Sequence, residues 1–358
     1  MSRFGRISVE LRNIAANRSP GETRAVILDP KHLGLSAFAN GEGELFFTMP
    51  YNHPAVVEAD PLQRHYRVRR YNPRTGNDDI IATGLIYDYT ADGNEVVVYG
   101  HDYMGLLSTT ITASNTSYTN ATLGSVVSDQ ISSAINEGFS RLGFMSMGSI
   151  EATSKTATLL TSYEPRLQFL ANVAEISMAE RSVRTILSVS RSSPWAFTFN
   201  ENKGVDRPDL RLEYGGAFNG FDYQPGFGNF ATRAFGVGIK REGATILYST
   251  QTYGDESVYG RISRTFVHQD VVNQAALDDM VKRDARQAGT AEKRLRFVLR
   301  HDYLGPYEGY EFGDSVRGIV TRGERVNVNG LYTVWGHLFT VSPDSGQTLS
   351  LVVEPKGL

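Results

Sequence analysis

Apolar and polar residues alternate along much of this chain, beginning with "RISVELRN", where Ile7, Val9 and Leu11 share one strand face. "TRAVILDP" continues the pattern and stops at Pro30. "GELFFTMPYNHPAV" is an apolar run broken by two prolines, so it is expected to bend or to lie at a sheet edge. The stretch "HYRVRRYNPRTGNDDIIATGLIYDYTADGNEVVVYGHDY" reads as a meander. Its hairpin signals are "NPRTGN" and "TADGNE", each between β-branched or aromatic runs. Residues 1–118 therefore form one β domain in this reading.

The period changes after "TASNTSYTNA". Within 121–142, Leu123, Val126, Val127, Ile131, Ile135, Phe139 and Leu142 recur at three-and-four spacing, which predicts an amphipathic helix stopped near Gly143. Leu167, Leu170, Val173, Ala174 and Ser177 predict a second helix, opened by Pro165 at its first position. These helices define 119–184 as an inserted domain. Strand-like pattern returns in "RTILSVS", "WAFTFN" and "LRLEYG", giving a β segment over 185–255. Inside it, residues 215–233 carry glycines and four phenylalanines without alternation, which predicts a large ordered loop. Such a loop packs either on itself or, through Phe218, Phe221, Phe227 and Phe230, on a neighbouring subunit. A third helix is predicted over Val271–Gln287, with Asp270 as its cap. Ala275, Leu277, Met280, Val281, Asp284 and Ala288 lie along its buried edge. It joins a C-terminal β meander to complete 256–358.

Composition supports this mainly β picture. The 358 residues suffice for two or three domains, and 35 glycines with 11% aromatics suit many strands and turns. Lys and Arg number 36 against 39 Asp and Glu, so a net charge of −3 exerts no whole-protein pull on nucleic acid. The absence of cysteine excludes disulfides, thiolate nucleophiles and cysteine-bound metals. No apolar leader and no run of about 18 apolar residues occurs, so neither a signal peptide nor a membrane span is expected.

Catalytic signatures are equally sparse. The seven histidines lack HExxH or HxH spacing and no calcium-loop pattern occurs, so no metal or cofactor is expected. There is no GxSxG elbow and no GxxxxGK[ST] loop. Asp78 with Asp79, and Asp278 with Asp279, are carboxylate pairs that nothing places across a cleft. The triplet HDY occurs twice, in "GHDYMGLL" and "RHDYLGPY". On a strand His101 and Tyr103 share a face while Asp102 points away, a poor linear triad. A turn role fits better, with Gly105 and Gly305 allowing tight bends. The chain is read as a non-enzyme. The basic stretch "RHYRVRRYNPR", residues 64–74, alternates Tyr66, Val68 and Arg70 with Arg67, Arg69 and Tyr71. A subunit contact or solvated face explains it better than nucleic-acid binding, which makes Arg67, Arg69 and Arg70 candidate interface residues.

One segment carries a family signature. "VRRYNPRTGNDDIIATGLIYDYTADGNEVVVYGHDYMGLLSTTI", residues 68–111, resembles siphophage minor tail or baseplate hub proteins, particularly those of phages infecting actinobacteria. The matching positions are Gly84, Ile86, Asp88, Asp92, Asn94, Val96, Gly100, Asp102, Tyr103, Gly105, Leu106 and Leu107. "GYEFGDSVRGIV", with Gly313 and Asp314, and "NGLYTVWGHLFTVSPDSGQTLSLVVEP", with Gly330, look similar to the family's C-terminal arrangement. The resemblance implies two tube-like β-barrel or sandwich domains plus a smaller inserted helical domain. It implies a structural virion protein of the tail tip, assembled in the host cytoplasm as a homotrimeric ring. Three chains with two such domains each would join a sixfold tube to a threefold tip. Implied partners are further copies, the distal tail protein or tail tube, other minor tail proteins, the tape-measure protein and double-stranded DNA in transit, without sequence-specific binding. Asp102 is expected to fix a turn, Gly105 to permit close backbone approach, and Leu106 and Leu107 to plug a barrel end. No lytic or host-binding extension is expected. Two other readings stand beside this one. The first is a peripheral module binding host-envelope glycan through aromatics such as Trp195 and the 218–235 loop. The second is a glycan- or cell-wall-degrading enzyme with dispersed carboxylates.

Overall fold

The computed structural model describes residues 6–356 apart from 16–18, 114–115, 138–139, 162, 179–183, 202, 227–230, 241–245, 254–255, 257–260, 272–273, 290–291, 301–303 and 323–325. The first run of strands is β1 (Ile7–Ile14), β2 (Pro20–Leu28), β3 (Leu33–Phe38), β4 (Glu44–Pro50), β5 (Arg64–Asn72), β6 (Asn77–Asp92) and β7 (Glu95–Asp102). Next come β8 (Ser117–Thr122), α1 (Leu123–Asn136), β9 (Ser146–Ile150), β10 (Thr156–Leu160), α2 (Arg166–Met178), β11 (Ile186–Val189) and β12 (Ala196–Asn200). The chain returns through β13 (Asp206–Glu213) and β14 (Phe218–Gly226), then makes β15 (Arg233–Lys240), β16 (Ile246–Thr252), β17 (Ser263–Val271) and α3 (Gln274–Gly289). It ends with β18 (Glu292–Leu299), β19 (Ser315–Arg322), β20 (Val326–Ser342) and β21 (Gly346–Pro355).

Alternation decides which side of each strand is dry. Ile7, Val9 and Leu11 of β1 are all buried, as are Tyr66, Val68 and Arg70 of β5. They face a core that also takes Phe297, Val334, Phe339 and Leu351 from the C-terminal strands. Each fully buried side chain of this size contributes roughly 1.5–3 kcal/mol. The two ends of the sequence thus share one core.

They also share one sheet. Thirteen strands run in the order β14-β18-β21-β20-β3-β4-β7-β6-β5-β1-β2, with β13 and β19 attached through β20. The junction is the long strand β20. Its N-terminal half pairs with β19, and its C-terminal half, from Gly336, pairs with β3. Gly336 makes this possible, because a β-carbon there would lie 2.3 Å from the Phe38 ring and 2.8 Å from the Ala37 carbonyl. Among the described residues no pairing joins β14 to β2. The sheet is open, not the closed barrel suggested by the resemblance.

Two smaller units hang from this sheet. In the first, α1 and α2 pack with β11 and β12 around Val126, Val127, Leu170, Val173, Phe197 and Phe199. In the second, Leu277, Val281 and Ala285 of α3 pack on Ala234 of β15, within the three-stranded sheet β16-β15-β17. Among the described residues no helix is long and apolar enough to cross a membrane.

Several sequence expectations change in the structure. The run at 43–56 bends as expected, since β4 stops at Pro50 and a turn leads into the 3₁₀ turn Pro54–Glu58, but it is not at an edge. β4 lies between β3 and β7, and Pro50 is simply its last residue. Helix α1 stops at Asn136, short of the expected 142, and Phe139 lies outside the described residues. Pro165 precedes α2, offering its carbonyl to the Phe169 amide at 3.1 Å. Asp270 and Val271 belong to β17, so α3 begins at Gln274, and Ala275 is exposed. About half of the expected Gly/Phe loop is strand: Phe218–Gly226 pairs with β18.

Candidate functional site

The residues of the family-like segment converge where β7 leaves the large sheet. Gly84 on β6 and Gly100 on β7 flank the buried Tyr66 ring. A β-carbon at Gly84 would meet the His101 carbonyl at 1.9 Å and the Tyr66 hydroxyl at 2.6 Å, and one at Gly100 would meet the ring at 2.6 Å. The β6–β7 hairpin turns through Gly93, at φ +58°, and Asn94, whose carbonyl accepts the Tyr51 amide at 2.8 Å. Asp88 is exposed and accepts the neighbouring Tyr89 amide at 2.8 Å.

Asp102 holds the turn that follows. Its carboxylate accepts the Gly105 amide at 2.9 Å, and its own amide donates to the Gly43 carbonyl at 2.9 Å. Burial pushes the carboxyl up to about 7, against the opposing pull of the Gly105, Gly43 and Met104 amides. Gly105 opens a 3₁₀ turn, Gly105–Thr109. The close approach it allows is to the His101 side chain, whose β-carbon lies 2.8 Å from where its own would stand, not to backbone. Leu106 and Leu107 enter the core of the helical unit, alongside Leu123 and Leu167, and do not plug the end of a barrel.

The two residues His101 and Tyr103 do not bond each other. The His101 ring stacks on Tyr87 at 4.0 Å between centroids, whereas the Tyr103 hydroxyl meets His65 Nδ1 at 3.0 Å. Tyr103 also sits edge-on to Phe144 and Trp195, at 5.2 and 5.8 Å. A like pair recurs in the C-terminal part, where the Tyr310 hydroxyl meets His337 Nδ1 at 3.0 Å. Burial holds His337 neutral, with its imidazolium pKa lowered to about 3. The second HDY triplet, 301–303, lies outside the described residues. Its glycine, Gly305, donates to Glu308 at 2.7 Å and leaves room for Arg70, whose guanidinium would otherwise meet a β-carbon at 2.0 Å.

The C-terminal motif residues also act on backbone. Asp314 accepts the Val205 amide at 2.8 Å and the Glu311 amide at 3.0 Å. Gly313, at φ +94°, packs directly on the backbone at Lys203 and Gly204. Gly330 pairs with Gly318 and has nothing closer than 3.8 Å to its absent β-carbon.

The candidate interface residues make intramolecular contacts. Arg69 pairs with Glu10 at 2.7 Å and Arg67 with the same carboxylate at 3.6 Å. Arg70 is buried and reaches across to Gln347 at 3.3 Å and Glu308 at 3.5 Å, tying β5 to the C-terminal part of the same chain. Phe218 is fully buried and Phe221 packs against the same core, so neither is a free surface group. Phe227 and Phe230 lie outside the described residues. Trp195 is only 8% exposed and is packed among aromatics, leaving no face for sugar stacking.

Between the sheet, the helical unit and the 307–312 segment lies a cleft of about 380 Å³. Asp102, Tyr103, Ser188, Arg191, Lys203, Tyr307 and Glu311 are in its wall. The Arg191 guanidinium lies 3.7 Å above the Tyr307 ring and pairs with Glu311 at 2.5 Å. Burial lowers the Lys203 pKa, and its ammonium donates to Ser188 at 3.1 Å. The cleft is therefore charge-balanced and internally hydrogen-bonded. Beside it, Glu42, Glu44 and His101 bring three potential metal-ligand atoms within 4.8 Å of one another, a grouping that residue spacing in the sequence did not reveal. The β4–β7 register, which only the structure shows, sets Glu44 directly opposite His101.

No protein-family model matches the sequence, and no curated protein matches it. Solved structures do share its architecture. The tail protein from Neisseria meningitidis MC58 aligns over 98% of this chain and 97% of its own, with a TM-score of 0.66 at 13% identity. The 43 kDa tail protein of prophage MuSo2 from Shewanella oneidensis aligns over 98% of both chains, at TM-score 0.64 and 11% identity. A chain of the Francisella PdpA–VgrG complex aligns over 99% of this chain but 58% of its own, at TM-score 0.58 and 12% identity. This chain therefore has the fold of these phage tail proteins and of the PdpA–VgrG complex chain.

Proposed function

We propose that this chain is a structural component of a phage or phage-derived tail, and specifically that it forms a hub ring joining the tail tube to the tip. The observation that carries this reading is the whole-length likeness of the fold to tail proteins. The motif residues support it, since Asp102, Asp314, Gly84 and Gly100 all serve strand packing and turns.

The sheet edges supply a means of assembly. Among the described residues strand β2 pairs only with β1, and its residues Val26 and Leu28 are 46% and 72% exposed. An open apolar edge is a template for a further strand, and a closed ring of copies would cover it. Three copies, each contributing its N-terminal and C-terminal strand sets, would offer six related faces to a sixfold tube. In this reading the distal tail protein or tube, other minor tail proteins and the tape-measure protein would be the ring's neighbours. DNA would pass through its channel without sequence-specific contact. The site of action would be the virion tail tip.

Light scattering on the purified protein, with negative-stain imaging, tests the proposal. The expected result is a trimeric ring with a central opening that the Val26→Glu/Leu28→Glu variant fails to form, while its monomer keeps the wild-type melting temperature. A monomer at every concentration, and still a monomer with purified tail-tube protein added, overturns the ring.

A further inference from the structure

We infer that Glu42, Glu44 and His101 form a binding site for a first-row transition-metal divalent cation, with Zn²⁺ the best match. The site clips the start of β4 to the end of β7, where the helical unit departs.

Four observations converge on it. The ligand atoms come from two chain segments held together by the β4–β7 ladder, in which Glu44 and His101 are direct partners. Their mutual separations are all within 4.8 Å. A tetrahedral ion with ligands near 2.1 Å sets its donors roughly 3.4 Å apart, so the cluster needs only side-chain rotation, which the exposed Glu44 can supply. Neither glutamate has a cationic side chain in ion-pair contact among the described residues. His101 Nδ1 is buried with no hydrogen-bond partner among the described residues, so that nitrogen is committed to no other polar group.

The surroundings fix these side chains in place. Stacking on Tyr87 orients the imidazole. Ser108 donates to the Glu42 carboxylate at 2.9 Å, so the outer shell of the site reaches the 3₁₀ turn that begins the helical unit. Gly105 lets the His101 side chain and Glu42 approach that turn, with its absent β-carbon 2.8 Å from one and 3.5 Å from the other.

Donor chemistry selects the ion. One imidazole with two carboxylates suits Zn²⁺ or Mn²⁺. Ca²⁺ needs six to eight oxygens, and Mg²⁺ resists nitrogen ligands and dehydration. Three protein ligands leave the remaining position to water.

Isothermal titration of tag-free, EDTA-dialysed full-length protein with ZnCl₂, in a non-chelating buffer at neutral pH, is the test. One ion per chain at micromolar affinity is expected, with a matching rise in melting temperature. Glu44→Gln should weaken binding at least tenfold, as should His101→Asn, while His32→Asn leaves it unchanged. Glu44→Gln alters an exposed side chain, so it reports on the site even if the His101 variant folds poorly. Absence of saturable binding, binding unaffected by Glu44→Gln, or tighter binding of Mg²⁺ or Ca²⁺ than of Zn²⁺ would overturn the assignment.

Discussion

Gly84 and Gly330 stand in similar glycine-bearing motifs, yet the structure assigns them opposite sensitivities to the same substitution. Alanine at Gly84 puts a methyl carbon 1.9 Å from the His101 carbonyl oxygen and 2.6 Å from the Tyr66 hydroxyl. The first neighbour is backbone in a paired interior strand, and the second belongs to a side chain buried in the main core. The carbonyl cannot yield without a shift of its strand. Overpacking of this kind costs about 1–3 kcal/mol, and a clash with backbone puts Gly84→Ala at or above the top of that range. At about 2 °C per kcal/mol for a chain of this size, its melting temperature should fall by about 6 °C. Gly330→Ala meets nothing nearer than 3.8 Å and its φ is not positive, so loss of unfolded-state freedom should leave it neutral or about 0.5 kcal/mol more stable. Calorimetry and urea titration of both variants measure the difference. Equal melting temperatures for the two variants, or a larger loss at Gly330, would refute the argument from contact distance.

Two further outcomes follow from buried charge and its absence. His337 is held neutral in the fold with a pKa near 3, whereas in the unfolded chain it titrates near 6.5. Between those values the unfolded state binds the extra proton, so the stability due to this group is present above about pH 6.5 and is lost as pH falls. The loss should be about 2 kcal/mol from pH 7 to pH 5. His337→Gln, which keeps an acceptor for the Tyr310 hydroxyl, should remove that part of the acid sensitivity in urea titrations run at both pH values. Arg70→Ala should cost roughly 1–3 kcal/mol, because it strips Gln347 of a partner and leaves Glu308 to Arg74 and the Gly305 amide. A double-mutant cycle with Glu308→Gln should return a coupling of about 1 kcal/mol, and a coupling near zero would mean that Arg70 contributes by packing only.

Much of the β architecture was legible because period-two alternation is a local property. Burial at Ile7, Val9 and Leu11, and the inward set Tyr66, Val68 and Arg70, follow from it directly. Turn chemistry was legible for the same reason, as at Gly93, where positive φ is needed. Helix ends were less so: Leu142 fits the helical stripe and is buried, yet it lies beyond the end of α1. Burial alone cannot tell a helical residue from a following turn that packs on the same core. The Gly/Phe stretch misled in the opposite direction, because β14 is a strand by virtue of its pairing with β18, seventy residues later in the chain.

By itself the sequence determined the strand-rich class, the hairpins, the presence of three helices and the turn role of Asp102, since each depends largely on neighbours a few residues away. Tertiary structure alone decided that the first and last strands share one open sheet through β20, and that Arg70 serves the chain's own interior. It also decided that Glu42 and Glu44 meet His101, although some sixty residues separate them. Strand pairing over such separations follows from which edges and faces remain to be covered once all the strands are present, and no local pattern carries that information.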